Sequence, residues 1–181
     1  MTRPHIVLVG LMGTGKSTIG RRLASRLQCD FVDSDAVVEQ RTGRTVREIF
    51  ESDGEDSFRA VEESVITEAL SSTRPSVVAA AGGSVLSARS RTAMKESQMV
   101  VWLDGPVALL ARRAGGRKGT GHRPLIDADP ELRLNQMRLA REHLYSDVAT
   151  TRVDVANASP SDIVDRLIAL LEATETAERS A

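Results

Sequence analysis

Gly10-Leu-Met-Gly-Thr-Gly-Lys16-Ser17-Thr18 is the most informative stretch of this chain, and it directly follows the short apolar run 5–9. It matches the pattern G-x-x-x-x-G-K-[ST], with a β-branched run before it and a helical pattern over 17–27 after it. Glycines in such a loop let backbone N–H groups turn inward and bind an anion at a helix N-terminus. The stretch predicts a nucleoside triphosphate site, with Lys16 at the β- and γ-phosphates and the Ser17 hydroxyl on Mg²⁺. The predicted nucleotide-binding residues of this loop are Gly13, Thr14, Gly15, Lys16, Ser17 and Thr18.

The composition is typical of one globular domain that needs no disulfide. The chain has 181 residues, of which 41% are hydrophobic and 27% charged, and its single cysteine cannot form an internal disulfide. A formal net charge of −1 gives no support for a nucleic-acid or membrane partner. We find no signal-peptide pattern and no transmembrane run, so we expect a cytoplasmic protein. Without an obvious apolar surface stripe we expect a monomer.

Strand and helix patterns alternate along the chain, which predicts an α/β fold with a five-stranded parallel sheet flanked by helices in three layers. The strand patterns cover 5–9, 31–33, 76–80, 99–103 and 151–155. The clearest helical patterns cover 17–27, 57–71, 106–114, 130–145 and 161–172.

Two intervals are too long for simple connections, so we divide the single domain 1–181 around them. Residues 34–71 carry helical pieces broken at Gly43 and Gly54, which predicts an inserted substrate-binding segment. Residues 112–125 are rich in glycine and cations, which predicts a mobile lid over the triphosphate; a solvated surface loop is the alternative. The core then comprises 1–33, 76–111 and 126–172, and the polar tail 173–181 is expected to fray.

Two carboxylates follow the second strand. Asp33 and Asp35 stand at the carboxyl end of a strand, where ligands bind in a parallel sheet of this type. One could hold Mg²⁺ while the other orients or deprotonates an acceptor hydroxyl. Capping of the next helix is the alternative for each. At the end of the fourth strand, we expect Asp104 to cap the helix that starts at Pro106.

Cations and glycines complete the set of candidates. Arg59 and Glu62 are three residues apart on a helix, which by itself indicates an exposed ion pair of little energy. Gly82-Gly83, after the third strand, would let backbone N–H groups approach a ligand. Arg123 and Arg141 are suited to bidentate binding of carboxylate or phosphate, and the three histidines are assigned no catalytic role.

Taken together, these motifs resemble those of the shikimate kinases, a family in the nucleoside-monophosphate-kinase-like branch of the P-loop kinases, from about residue 6 to residue 171. The resemblance implies a three-layer P-loop kinase fold and transfer of the ATP γ-phosphate to the 3-hydroxyl of shikimate. It rests on the P-loop and on Asp33-Ser-Asp35, Phe50, Asp53-Gly54-Glu55, Phe58-Arg59, Glu62, Gly82-Gly83, Arg123-Pro124, Arg141 and Leu144-Tyr145.

The resemblance also implies a role for each matching residue. Asp35 would be the partner and candidate base of the acceptor hydroxyl, and Asp33 would place Mg²⁺ with Ser17. Arg59 and Arg141 would bind the acceptor carboxylate. The remaining implied site residues are Glu62, which would hold Arg59; Gly82 and Gly83, at substrate and γ-phosphate; Lys16 and Arg123, at the transition-state charge; Phe50 and Phe58, beside the substrate ring; and Arg113 with Asn157 to Pro160, around adenine.

This chain departs from the family pattern at three places. Ala81 replaces the first of three glycines, and a position there with φ > 0 would cost about 1–2 kcal/mol. The lid is longer, and His143 stands where proline is common. Two alternatives remain open: a related kinase for another hydroxylated ring acid or polyol, and a nucleotide-binding regulator without transferase activity.

Overall fold

The sheet has five parallel strands in the order β2-β3-β1-β4-β5, which confirms the predicted architecture. The structure is a computed structural model that describes residues 3–115 and 129–179. The predicted strands lie within two residues of the observed bounds. These are β1 (Arg3–Val9), β2 (Asp30–Asp33), β3 (Ser76–Ala79), β4 (Ser97–Asp104) and β5 (Thr151–Asp154).

Helices occupy the intervals between strands, and two of them extend by seven residues or more beyond the predicted patterns. The pattern over 57–71 is the second part of a longer helix, and the last helix continues through Arg179, where we expected a frayed tail. The helices are α1 (Lys16–Leu27), α2 (Ser34–Thr42), α3 (Val46–Ser71), α4 (Ala88–Lys95), α5 (Val107–Gly115), α6 (Pro130–Val148) and α7 (Pro160–Arg179).

The core lies around the central strand β1. Ile6 to Val9 are buried, and so is every residue of β3, because helices cover the sheet on both faces. His5 is also fully buried, and its ring contacts the Ser76 hydroxyl and the Ser72 carbonyl at 2.9 Å each. A polar side chain satisfied in this way is part of the core.

The inserted segment breaks at the two predicted glycines. Gly43 ends α2 with a φ of 66°, and Gly54, with a φ of 83°, kinks α3. Thr45 starts α3 with a capping box closed by Glu48. The insertion has its own small core, which consists of Val38, Ile49, Phe58 and Val65.

All strands run in the same direction, so their carboxyl ends meet at one edge of the sheet. The loop after β1, the acids after β2 and the glycines after β3 therefore face the same crevice. The insertion formed by α2 and the first part of α3 adjoins this edge. In the described part of the chain, no helix combines the length and the apolar composition needed to cross a membrane.

Candidate active site

The loop between β1 and α1 has the geometry of a phosphate-binding loop. Gly10 and Gly13 adopt φ values of 136° and 83°, and a Cβ would lie 2.2 Å from the Leu103 carbonyl oxygen at Gly10 and 2.4 Å from that of Leu110 at Gly13. No other residue type fits there, because both the backbone conformation and the space exclude a side chain. The loop is held by the Thr14 hydroxyl, which donates to the Leu11 carbonyl over 2.8 Å.

Lys16, Ser17 and Thr18 form the first turn of α1, directly after this loop. The Lys16 ammonium bends back over the loop and donates to the carbonyls of Gly10 and Leu11, at 2.8 and 2.9 Å. A helix N-terminus, a turned loop and an ammonium group thus lie together, an arrangement that attracts the phosphates of a nucleotide.

The acids after β2 lie at the start of α2. Asp33 occupies the N-cap position, but its side chain accepts no capping hydrogen bond, so the capping alternative for Asp33 is wrong. Asp35 lies in the first turn of α2. Between them, the Ser34 hydroxyl accepts a hydrogen bond of 2.8 Å from the Ala81 N–H and so ties the end of β2 to the loop after β3.

Arg59 and Glu62 form a buried ion pair. The Arg59 guanidinium donates to Glu62 over 2.8 Å and to Glu55 over 3.0 Å. The Glu62 side chain is only 3% exposed, so the simple expectation of a solvated surface pair is wrong. Glu62 is buried and not exposed because α3 packs against other elements along this face. The spacing between Arg59 and Glu62 in the sequence does not reveal that packing.

The environment of Glu62 changes its acidity. Burial raises the pKa of its carboxyl to about 7, against the opposing effect of the Arg59 charge, while nearby Asp35 raises it further. Within the described residues, its Oε1 atom is buried and has no hydrogen-bond partner. A carboxyl of this kind holds its arginine firmly, because moving the guanidinium away would leave an uncompensated buried group.

The Gly82-Gly83 loop is fitted against two arginines. A Cβ at Gly83 would lie 2.1 Å from Nη1 of Arg59, so the guanidinium packs directly on the glycine backbone. A Cβ at Gly82 would lie 3.8 Å from Nη1 of Arg141. The loop thus brings together Arg59 from α3 and Arg141 from α6, which are far apart in the sequence.

Ala81 causes no backbone strain. Among the described residues, Gln28 is the sole non-glycine position with positive φ, so Ala81 has an ordinary conformation. Its N–H binds Ser34 and its carbonyl accepts from the Ser84 hydroxyl over 2.7 Å. The cost that a left-handed conformation would impose is therefore absent here.

The two phenylalanines flank Arg59. Phe58 is 2% exposed and lies in the small core of the insertion, whereas Phe50 is half-buried. Their ring centroids are 4.6 Å apart, and the Arg59 guanidinium carbon lies 5.2 Å from the Phe58 centroid. The rings thus support the arginine that faces the loop, and Phe58 has little surface left for a substrate.

The predicted adenine-binding residues lie at the ends of α5 and β5. Arg113 donates to the Val155 carbonyl over 3.2 Å, which places its guanidinium beside the loop that contains Asn157. This loop ends where Pro160 begins α7. Arg123 and the predicted lid from residue 116 onward lie outside the described residues.

Asp104 does not cap the next helix, so that prediction was wrong. Its buried carboxylate accepts two hydrogen bonds from Arg138, at 2.6 and 2.7 Å, and one from Arg152. It ends β4, and these arginines come from α6 and β5. Tyr145 is a further residue of the site, to which we assigned no role from the sequence: its hydroxyl donates to the Gly82 carbonyl, and its place in the Leu144-Tyr145 motif was the available signal.

A phosphate-binding loop at the central strand, an acid in the first turn of the neighbouring helix and an arginine held over a glycine loop define a P-loop kinase for a small acceptor. The sequence model of the family described as Shikimate kinase matches residues 12–172. The chain belongs to the shikimate kinase family, which confirms the resemblance found in the sequence.

Relatives and solved structures agree with this assignment. A shikimate kinase of Rhodococcus erythropolis is 42% identical over 171 residues, covering 94% of this chain and 98% of the relative. Shikimate kinase from Acinetobacter baumannii, solved in complex with shikimate, superposes with a TM-score of 0.88 at 36% identity, covering 96% and 95% of the two chains. A gluconokinase from Sinorhizobium meliloti has a TM-score of 0.67 at 25% identity, covering 100% of this chain and 99% of that one.

Proposed function

We propose that this kinase transfers the γ-phosphoryl group of ATP to the 3-hydroxyl of shikimate. The observation that carries the proposal is the Arg59 guanidinium, held by the buried Glu62 and packed on Gly83 at the edge of the sheet where the P-loop lies. A guanidinium fixed in this way is suited to a planar carboxylate. The shikimate-bound relative from Acinetobacter baumannii, with its TM-score of 0.88, supports this acceptor.

In this mechanism, Arg59 and Arg141 bind the acceptor carboxylate from two sides. Both approach the Gly82-Gly83 loop, one from α3 and the other from α6. A carboxylate fixed at one end of the acceptor ring orients the hydroxyl at the other end toward the triphosphate, and such orientation supplies a large part of catalysis. Backbone N–H groups of Gly82 and Gly83 complete the contacts to substrate and γ-phosphate.

Asp35 accepts the proton of the acceptor hydroxyl in the proposal. It lies in the first turn of α2, close enough to Glu62 for the two charges to interact. Asp35 therefore lies on the side of the crevice where Glu62 holds Arg59. A carboxylate at this place orients the hydroxyl for in-line attack and takes up its proton as the new bond forms.

Mg²⁺ is expected to arrive with ATP, and the residues present fit it. Ser17 supplies a hydroxyl in the first turn of α1, and Asp33 supplies a carboxylate that is not used for capping. Mg²⁺ prefers oxygen ligands and is commonly held by one or two side chains together with substrate phosphates and water. When bound, the ion neutralises phosphate charge, and Lys16 and Arg123 would share this task.

The experiment that tests the proposal is ADP release from MgATP with the purified protein, with and without shikimate. We expect shikimate-dependent turnover and little turnover with gluconate, which tests the second candidate, a related kinase for another acceptor. The methyl ester of shikimate is a matched control, because it retains the hydroxyls but removes the carboxylate charge. ATP binding without turnover on any acceptor would favour a nucleotide-binding regulator and refute the proposal.

A variant pair tests the role of Asp35. Asp35→Asn should reduce kcat at least about 100-fold, the lower range for a lost general base, with ATP affinity unchanged. Asp30→Asn removes the same charge from the opposite end of β2, where Asp30 is exposed, and should leave turnover unchanged. Near-normal turnover of Asp35→Asn would remove Asp35 from the proton-accepting role.

The predicted monomer also stays a prediction, which light scattering would check.

A further inference from the structure

Tyr145 is a buried residue whose hydroxyl reaches the active-site loop. It lies on α6, one turn beyond Arg141, and is only 1% exposed. Its hydroxyl donates to the Gly82 carbonyl over 2.6 Å. The ring stacks on Trp102 of β4, with centroids 5.8 Å apart.

The Tyr145 hydroxyl and the Arg141 guanidinium meet at Gly82. A Cβ at Gly82 would lie 3.6 Å from the Tyr145 hydroxyl oxygen and 3.8 Å from Nη1 of Arg141. A carbonyl oxygen can only accept, so the phenol proton goes to the Gly82 carbonyl. Burial raises the pKa of Tyr145 to about 12, so the phenol keeps that proton at neutral pH.

A hydrogen bond to the Gly82 carbonyl also orients the next N–H. The described residues contain no cis peptide bond, so the Gly82 carbonyl and the Gly83 N–H point to opposite sides of one planar peptide. This peptide joins two glycines, which restrict its rotation least of all residues. Among the described residues, no hydrogen bond uses the N–H of Gly82 or of Gly83, whereas the next N–H, that of Ser84, binds the Ala81 carbonyl over 3.0 Å.

We propose that Tyr145 is a positioning residue that fixes the Gly82–Gly83 peptide beside the Arg141 guanidinium, so that the Gly83 N–H and Arg141 meet the same acceptor carboxylate. The hydrogen bond from this hydroxyl thus links two elements that lie together only in the folded protein: the loop after β3 and the helix α6. The inference rests on the proposed function in that the acceptor is an acid, but the orientation of the peptide does not depend on which acid it is.

The kinetic test compares Tyr145→Phe with Trp102→Phe. Tyr145→Phe keeps the ring and loses the hydroxyl, and we expect the acceptor KM to rise about tenfold, the effect of one lost buried hydrogen bond, with the ATP KM unchanged. Trp102→Phe disturbs the same stack and leaves the hydroxyl in place, so its acceptor KM should stay near normal. An unchanged acceptor KM in Tyr145→Phe, or an equal rise in both variants, would overturn the inference.

A spectroscopic readout separates this inference from the proposed function. In protein labelled with ¹⁵N-glycine, Tyr145→Phe should shift the amide resonances of Gly82 and Gly83 and speed their hydrogen exchange, while Trp102→Phe should not. If the natural protein did not phosphorylate shikimate, the proposed function would fail, and these resonances would still decide the role of Tyr145. Unchanged Gly83 resonances would refute it.

A third test of the role of Tyr145 uses the composition of the chain and avoids a substitution in the core. Tyr145 is the single tyrosine, so incorporation of 3,5-difluorotyrosine changes this phenol alone. A difluorinated phenol ionises at a lower pH, so the acceptor KM should rise above that pH, where the proton donated to Gly82 is lost. Natural protein should show no such rise over the same range, and a flat profile for the fluorinated protein would contradict the inference.

Discussion

Replacement of Gly83 by alanine is the most direct test of acceptor binding by Arg59. The added Cβ would lie 2.1 Å from Nη1, 2.4 Å from Cζ and 2.5 Å from Nη2 of Arg59, distances that no folded protein sustains. Gly83 itself has a φ of −93°, so alanine causes no backbone strain. The methyl group therefore acts on the guanidinium, which is the end of a flexible side chain and can move.

The magnitude follows from what Arg59 loses when it moves. Its 2.8 Å hydrogen bond to Glu62 defines the place of the guanidinium, and displacement removes its contacts with the acceptor carboxylate. Hydrogen bonds to charged groups contribute about 1.5–3 kcal/mol each. Loss of one such contact corresponds to an acceptor KM roughly 10- to 100-fold higher. The ATP KM should change much less, because the displaced side chain, Arg59, is proposed to bind the acceptor and not the nucleotide.

Steady-state kinetics with shikimate and ATP varied in turn gives both constants, and calorimetry gives the dissociation constant of shikimate directly. The control is the same substitution in an Arg59→Ala background, where the methyl group has no guanidinium to displace. Gly83→Ala should then have little further effect, because two substitutions that act through one contact are not additive. A full additional loss in that background, or a normal acceptor KM in Gly83→Ala alone, would refute the reasoning.

Three further predictions concern neighbouring residues. Arg59→Lys should raise the acceptor KM several-fold, because an ammonium cannot bind a carboxylate in the bidentate manner; an unchanged KM would exclude Arg59 from carboxylate binding. Ala81→Gly should leave kcat and both KM values within about twofold, as expected where φ is ordinary, and a marked loss would mean that the methyl group contributes to the acceptor site. The raised pKa of Glu62, about 7 against an ordinary 4.5, means that the folded protein keeps a proton that the unfolded chain releases. The free energy of unfolding should therefore fall by roughly 3 kcal/mol between those pH values. Urea denaturation at several pH values should show this fall in the natural protein and a smaller one in Glu62→Gln. An equal dependence of the free energy of unfolding on pH in both proteins would contradict the raised pKa of Glu62.

The sequence by itself determined the framework of the protein. The P-loop stretch, the five strand patterns and the breaks at Gly43 and Gly54 could be predicted, because each depends on residues close together in the chain. A glycine that must adopt positive φ, or an apolar run of strand length, carries its own physical reason wherever it occurs. The order of the motifs then indicated the family.

Tertiary structure alone decided how the acceptor side is built. The spacing of Arg59 and Glu62 indicated an exposed pair, yet packing buries Glu62 and raises its pKa. Asp104 resembled a helix cap until α6 and β5 brought two arginines to it. These outcomes depend on contacts between elements far apart in the chain, and burial, unlike a turn or a strand, is not a property of any local sequence. The fit of Gly83 against Arg59 is of the same kind, because α3 and the loop after β3 meet only in the folded protein.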